Sequence, residues 1–267
     1  TQDETENLIL SLIDTKWFQR LREVSQTANT RLVYMFSEHS RFGHSIGVSY
    51  LANLLTKKLE NQNSKNEKSY RTPIVVAALL HDVGHLAPGS HTAFKTWFPG
   101  KPDSHEEIAT RIIEEAEEIR SILDKCDPNL WKEVQAILNE DSSVPPWTWE
   151  IISGGGWNVD RGNWCILDSV LAGVSYGKYN IPAIIDSLSI ANDGHLVLQE
   201  NRIDSMVHFA VSRHAMYRQI YQHRVLLAAD TINTAIIKRA RDLSSAIPFR
   251  DEWMDNALNA DNPGDLT

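Results

Sequence analysis

The sequence lacks several features that mark common classes of protein. Its 267 residues include only two cysteines, Cys126 and Cys165, and neither lies in a CxxC or Cys/His finger spacing. This argues against a structural zinc site built on thiolates. No apolar run reaches the roughly 18 residues of a membrane-spanning helix, and no signal-peptide core is recognisable. With two unpatterned cysteines, we expect a cytoplasmic protein.

Positive charge is also scarce. Lys and Arg number 26 against 35 Asp and Glu, which gives a formal net charge of −9. This balance argues against bulk binding of nucleic acid through electrostatics, although local groups of arginines could still bind a small phosphorylated molecule. A hydrophobic content of 42% is enough for a proper core. We expect one helical domain, and size alone leaves two domains open.

Apolar residues recur mostly at helical spacing, which predicts an all-α fold. The predicted helices cover 8–26, 43–59, 73–81, 105–123, 130–138, 160–172, 203–221 and 225–241. Alternation in 187–191 and 195–200 predicts one small β-hairpin. Residues 147–153 lie between two prolines and three glycines, which predicts a further short helix. We divide the chain into a main domain, 1–243, and an acidic tail, 244–267.

A His-Asp pair follows the apolar run 74–80, as His81 and Asp82 in HDVGH. The dipeptide alone fits a buried histidine bonded to its neighbour as well as it fits a metal site. The apolar run should be a buried helix, and an unpaired carboxylate at its end would be costly. Binding a metal would satisfy that carboxylate. Gly84 should end the helix and let His85 fold back over the metal.

His44 and Asp160 offer two more ligands to the same ion. Two imidazoles and two carboxylates suit Fe, Zn, Mn or Mg, and they leave coordination positions open for water and substrate. The pattern therefore indicates a hydrolytic site with one divalent metal ion.

Two stripes at helical spacing could bind a ligand beside this metal. The first is Asp160, Trp164 and Asp168, spaced i, i+4, i+8. A second stripe adds a cation, two phenols and an amide: Arg213, Tyr217, Tyr221 and Gln222. Such a row would suit phosphate, sugar and base in succession. Each stripe alone fits a core-facing amphipathic helix better, so the interpretation depends on the metal ligands.

Six blocks between Asp14 and about Ala235 resemble HD-domain phosphohydrolases, and within them the deoxynucleoside triphosphate (dNTP) triphosphohydrolases. The blocks occur in the family's order: DTKWFQRLREVSQ, SRFGHSIGVSYLA, HDVGH followed by SH, SHEE, VDR with an Asp eight residues on, and SRHAMYRQIYQHRV. The resemblance implies an α-helical HD-domain bundle that uses one metal ion to hydrolyse a dNTP to deoxynucleoside and inorganic triphosphate.

The resemblance also assigns roles to individual residues. It implies that His44, His81, Asp82 and Asp160 bind the metal, and that Arg41, Arg161 and Arg213 hold the triphosphate. Gln26 and Asp168 match the pair that grips the sugar 3′-hydroxyl, Tyr221 packs under the deoxyribose, and Gln222 lies near the base or sugar edge. The residues that line the scissile phosphate are His85, His91 and His105, of which His91 and His105 are candidates for orienting water and protonating the leaving oxygen.

The chain departs from the family pattern at several positions. Trp164 replaces a Tyr, Tyr217 stands where a His can occur, and the loop after HDVGH has one extra residue with Phe94 in place of an acid. Two alternatives therefore stay open. One is another HD phosphohydrolase acting on a nucleoside monophosphate, a guanosine polyphosphate or a cyclic nucleotide. The other is an inactive nucleotide-sensing subunit. The resemblance further implies a homo-oligomer and a possible allosteric nucleotide.

Overall fold

The structure is a computed structural model that describes residues 3–62, 68–87, 89, 92–98, 100–101, 103–244 and 252–260. Fourteen helices and one two-stranded antiparallel sheet lie within these residues. The predicted all-α fold with one β-hairpin is confirmed. Across the same residues, no helix combines the length and the apolarity needed to cross a membrane.

Helices and strands are numbered here in chain order. The helices are α1 (Glu4–Ile13), α2 (Lys16–Gln19), α3 (Arg41–Gln62), α4 (Arg71–Leu80), α5 (Thr92–Trp97), α6 (His105–Glu115), α7 (Glu117–Cys126), α8 (Leu130–Leu138), α9 (Pro146–Ser153), α10 (Val159–Leu171), α11 (Ile181–Ser187), α12 (Ile203–Met216), α13 (Arg224–Ser244) and α14 (Glu252–Asn259). The hairpin strands are β1 (Leu188–Ile190) and β2 (Leu196–Leu198). Short 3-10 turns cover Arg20–Arg22, Ala28–Leu32 and Glu200–Arg202, and a π-helical turn covers Tyr217–Tyr221.

Helix α4 forms the centre of the core. Every residue from Pro73 to Leu80 is buried, and the helix packs against α3 and α8. A helix that is apolar on all sides is stable only when it is surrounded by protein. The helix ends at Leu80, so the prediction that it includes His81 was one residue too long. His81 and Asp82 therefore lie at the point where the buried helix stops.

Two predicted helices are each divided in the structure. The predicted helix 8–26 breaks after Ile13, because the Thr15 side chain accepts a hydrogen bond from the Phe18 backbone amide and starts a new helix. The predicted helix 105–123 breaks at Ala116, whose backbone is extended. Glu117 and Glu118 then occupy the first turn of α7, where carboxylates interact favourably with the helix dipole.

Three helices were missed, and the hairpin was found. Helices α5 and α11 are too short for periodicity to reveal, and α14 lies in the segment predicted as an acidic tail. Helix α14 packs against α13 and buries Leu258. The hairpin pairs Leu188 with Leu198 and Ile190 with Leu196, close to the predicted strands.

Candidate metal and nucleotide site

The site forms where four helices meet at their ends or faces. Helix α3 contributes Arg41 and His44 in its first turn, the end of α4 contributes the HDVGH segment, α6 begins at His105, and α10 carries Asp160. Gly84 makes this convergence possible, because a Cβ atom there would lie 2.0 Å from the His105 carbonyl oxygen. The glycine lets the start of α6 approach the HDVGH segment.

The four predicted metal ligands lie together. His44 Nε2 is 3.0 Å from Asp160 Oδ1 and 3.6 Å from Asp82 Oδ2. His81 Nε2 is 3.4 Å from Asp82 Oδ1 and 3.6 Å from Asp160 Oδ1. One ligand atom from each of His44, His81 and Asp160 lies within 4.8 Å of the other two.

The imidazole rings of this cluster are oriented as metal-ligating histidines usually are. His44 Nδ1 is 2.8 Å from Asn163 Oδ1, and His81 Nδ1 is 2.8 Å from the Ala78 carbonyl oxygen. An outer Nδ1–H held in this way leaves Nε2 free to bind a cation. His81 Nε2 is buried and has no hydrogen-bond partner among the described residues. The donor set therefore fits one divalent ion.

The charges of the cluster also suit a cation. Burial would raise the pKa of Asp82, but Arg41, His81 and His85 hold it well below its usual range. Burial would likewise raise the pKa of Asp160, but the hydrogen bond from His44 and the nearby His81 imidazole lower it instead. Burial alone would lower the pKa of His81, but the two carboxylates raise it to about 9. The cluster thus holds two ionised carboxylates, and a metal ion would take the place of the proton that they stabilise on His81.

Two of the three predicted catalytic histidines stand beside the cluster. The His85 and His105 rings stack at a centroid distance of 3.9 Å, and His85 Nε2 is 3.2 Å from Asp82 Oδ1. Burial and the nearby Arg41 guanidinium hold the pKa of His85 well below its usual value. His105 Nδ1 is 2.7 Å from Asp103 Oδ1. His91 lies outside the described residues.

A cavity of about 560 Å³ opens from the cluster, within the size range of small-molecule sites. Its lining includes most of the predicted site residues: Gln26, Arg41, His81, Asp82, His85, His105, Asp160, Arg161, Trp164, Asp168, Tyr217, Tyr221 and Gln222. The structure thus brings together residues that lie up to about 200 positions apart in the sequence.

One wall of the cavity is aromatic. Centroid distances are 5.6 Å between Trp164 and Tyr221 and 5.3 Å between Tyr217 and Tyr221. The tyrosines occupy the π-helical turn, a rare geometry that is frequent at functional sites. The guanidinium carbon of Arg213 is 5.7 Å from the Trp164 ring centre and 5.0 Å from that of Tyr217. Arg213 packs on this wall and is absent from the described cavity lining.

Arg161 also differs from its expected arrangement. Its Nη1 donates to the carbonyl oxygens of Gly154, Gly155 and Gly156 at 2.8, 3.0 and 3.2 Å. These carbonyls follow the C-terminus of α9, which the guanidinium therefore caps. Arg161 lines the cavity while its charge is already engaged by the protein.

The comparisons agree with this geometry. Residues 41–148 match the family model described as HD domain. The chain therefore contains an HD domain. A crystal structure of a phosphohydrolase from Bacteroides thetaiotaomicron VPI-5482 is similar, with a TM-score of 0.82 and 25% sequence identity, over 98% of this chain and 61% of that one. The HD match includes His44, His81, Asp82, His85 and His105 but ends before Asp160.

The similarity to two curated relatives extends well beyond the residues of the HD match. The uncharacterized protein YwfO of Bacillus subtilis is 30% identical over 240 residues, which cover 89% of this chain and 53% of that protein. The deoxynucleoside triphosphate triphosphohydrolase SAMHD1 of Gallus gallus is 25% identical over 254 residues, which cover 83% of this chain and 41% of that protein. The chain spans about half the length of the curated relatives it matches.

The site also contains residues that the sequence analysis missed. His39 Nε2 is 2.7 Å from Asp168 Oδ1, and Asn163 orients His44. Asn29 donates to Asp230 at 2.6 Å, and both residues line the cavity. His39 and Asn29 lie in irregular segments, where helical spacing carries no signal. The position of His39, two residues before Arg41 in SEHSRFGH, was the available hint.

Proposed function

We propose that this protein is a metal-dependent hydrolase that cleaves dNTPs to deoxynucleoside and inorganic triphosphate. One observation carries the proposal: a single cavity joins a His/Asp cluster suited to a divalent ion with a buried carboxylate and an aromatic wall suited to a nucleoside. The activity named for the Gallus gallus relative and the phosphohydrolase named for the structural neighbour support it.

His44, His81, Asp82 and Asp160 would hold the ion, which is Fe, Mn, Zn or Mg. A divalent ion stabilises the negative charge that develops on phosphate oxygens and makes water more acidic. The paired outer nitrogens of His44 and His81 keep both rings turned toward it.

Arginines and histidines would act on the triphosphate. Arg41, which lines the cavity and is ion-paired with Asp82, would hold the phosphates beside the metal cluster. Water attacks the α-phosphorus, the bond from phosphorus to the 5′-oxygen breaks, and the leaving oxygen takes a proton. His91 and His105 are the proposed residues for orienting water and delivering that proton, since imidazoles serve this purpose near neutral pH. The Asp103 carboxylate fixes the His105 ring for this task.

The nucleoside would lie against Trp164, Tyr217 and Tyr221, with its sugar near Gln26 and Asp168. Tyr221 donates to Asp168 Oδ2 at 2.6 Å, so the ring has a fixed position. As the family resemblance implies, a ring fixed under the sugar would collide with a 2′-hydroxyl and would thereby favour deoxyribose. Homo-oligomerisation and an allosteric nucleotide stay predictions from the family.

A second candidate is hydrolysis of a smaller nucleotide by the same cluster. It is favoured by the positions of Arg161, which caps α9, and Arg213, which packs on the aromatic wall. Arg161 donates to backbone carbonyls and Arg213 is absent from the described cavity lining, so Arg41 is the arginine of that lining that lies beside the metal cluster. A nucleoside monophosphate needs fewer cations than a triphosphate.

Product analysis tests both candidates. The metal-loaded protein is incubated with each dNTP and each deoxynucleoside monophosphate, and the products are separated by ion-exchange chromatography. We expect deoxynucleoside and intact inorganic triphosphate in equal amounts, and no activity from Asp160→Asn. Release of pyrophosphate, or cleavage of monophosphates alone, would contradict the proposal.

A further inference from the structure

The Asp168 carboxylate is buried in the cavity wall, and the protein itself occupies both of its oxygens. Asp168 is 3% exposed. His39 Nε2 lies 2.7 Å from Oδ1, and the Tyr221 hydroxyl donates to Oδ2 at 2.6 Å. Because a carboxylate only accepts hydrogen bonds, His39 must donate through Nε2. Without such donors, burying this charge would be costly.

His39 holds a second cavity residue through its main chain. The Gln26 backbone amide donates to the His39 carbonyl oxygen at 3.0 Å, and the Arg41 amide donates to the Val24 carbonyl oxygen at 2.9 Å. These bonds join residues 24–26 to 39–41 as an antiparallel bridge. Gln26 lines the cavity, and its Oε1 is buried without a hydrogen-bond partner in the described structure.

We infer that His39 is a positioning residue. It sets the spacing between the Gln26 amide and the Asp168 carboxylate, and thereby how well these two groups bind a sugar hydroxyl. An amide and a carboxylate facing one cavity can together donate to and accept from a single hydroxyl group. Through Asp168, His39 also fixes the Tyr221 ring that would lie under the sugar. The inference rests on the proposed function and adds His39 to the residues that the family resemblance places at the sugar.

Three variants of His39 test the inference, with His208→Ala as a control at an exposed histidine of α12. In His39→Gln the side-chain amide nitrogen can take the place of the imidazole Nε2. In His39→Asn the side chain is one methylene shorter, so its amide nitrogen does not reach Asp168. His39→Ala removes the donor. The readout is kcat/KM for a dNTP divided by kcat/KM for the matching 2′,3′-dideoxynucleotide, which lacks the 3′-hydroxyl.

We expect the ratio to fall about 10-fold in His39→Ala and His39→Asn, the loss expected from one hydrogen bond to a charged group. His39→Gln should restore much of it, and His208→Ala should match the wild type. Metal content should stay the same throughout. A purely structural defect would lower both kcat/KM values together and leave the ratio unchanged. If His39→Ala fails to fold, the ratios of His39→Gln and His39→Asn are compared instead.

The possible failures are distinct. If the wild type cleaves dNTPs and His39→Asn keeps the wild-type ratio, this inference is wrong and the proposed function stands. If the wild type cleaves no dNTP, the proposed function is wrong and the inference falls with it.

Discussion

Asp82 carries a buried negative charge that four side chains share. Arg41 Nη1 lies 2.5 Å from its Oδ2, and imidazole nitrogens of His44, His81 and His85 lie between 3.2 and 3.6 Å from its oxygens. Each partner lowers the free energy of the ionised carboxylate in a site that solvent hardly reaches. Removing the carboxylate therefore affects both the metal site and the Arg41 guanidinium beside it.

We expect Asp82→Asn to lower the free energy of unfolding by about 3–5 kcal/mol, because the Arg41 charge stays buried without its partner. The measurement is urea unfolding in EDTA, so that loss of metal does not contribute. The double variant Asp82→Asn/Arg41→Met should recover part of the loss, since it leaves no unpaired cation.

A surface pair supplies the control for this prediction. Arg120 and Asp124 form a similar contact at 3.1 Å, with 39% of the Asp124 side chain exposed. Exposed pairs contribute at most about 1 kcal/mol, so Asp124→Asn should have little effect. An equal cost for Asp82→Asn and Asp124→Asn would mean that the Arg41–Asp82 pair does not stabilise the fold.

The sequence could predict residues that share a motif or a helical face, and it could not predict residues that act from a distance. The HDVGH motif and the helical spacing of Asp160, Trp164 and Asp168 were enough to predict these residues as candidates for the site. His39 meets Asp168 across 129 positions of sequence, and His44 meets Asn163 across 119. No local pattern encodes such contacts. The contacts of Arg161 with the carbonyls after α9, and of Arg213 with the aromatic wall, also could not be predicted, because the fold brings these groups together.

At the scale of elements, the β-hairpin supports helix α9. Glu150 of α9 accepts hydrogen bonds from His195 Nδ1 at 2.7 Å and from the Leu196 backbone amide at 2.6 Å. The Trp147 amide donates to the Gly194 carbonyl oxygen at 3.0 Å. Since Arg161 binds the carbonyls after α9, the hairpin fixes one wall of the cavity from outside.

The pH dependence of this contact can be measured directly. The hydrogen bond and charge of Glu150 raise the pKa of His195 above its ordinary value of 6.5. The pair therefore stabilises the fold fully below pH 6.5, and this stabilisation is lost as the pH rises through the folded-state pKa. We expect NMR titration to find a raised pKa of His195 in the wild type and a lower pKa in Glu150→Gln, in which only the weaker effect of Asp193 stays. Glu200→Gln, an exposed site near β2, should keep the raised value, and an unshifted wild-type pKa would contradict the prediction.

Long, periodic elements were predictable, and irregular ones were not. Helices α3, α4, α8, α10 and α13 follow from apolar periodicity, with ends shifted by a few residues. The π-helical turn could not be predicted, because periodicity reads Tyr217 and Tyr221 as ordinary i, i+4 neighbours. In the structure, the Gln222 amide donates to the Tyr217 carbonyl oxygen, five residues back. That extra residue changes which side chains reach the cavity.

At the scale of the whole molecule, the candidate metal site joins distant parts of the chain. His44 comes from α3, His81 and Asp82 follow α4, and Asp160 comes from α10, 116 positions after His44. A bound ion would link these elements across the core. A ligand that binds only the folded state stabilises it by mass action.

We therefore expect chelation to lower the melting temperature and added divalent metal to restore it. At a free ion concentration of about 100 times Kd, binding contributes about 2.7 kcal/mol, which corresponds to roughly 5–10 °C for a chain of this size. His81→Ala should melt at the same temperature with and without metal, because it lacks a ligand from the central cluster. His208→Ala, altered only at the surface, should respond as the wild type does. A wild type whose melting temperature ignores both EDTA and saturating metal would show that no ion joins α3, α4 and α10, since a shared ligand must stabilise the elements that bind it.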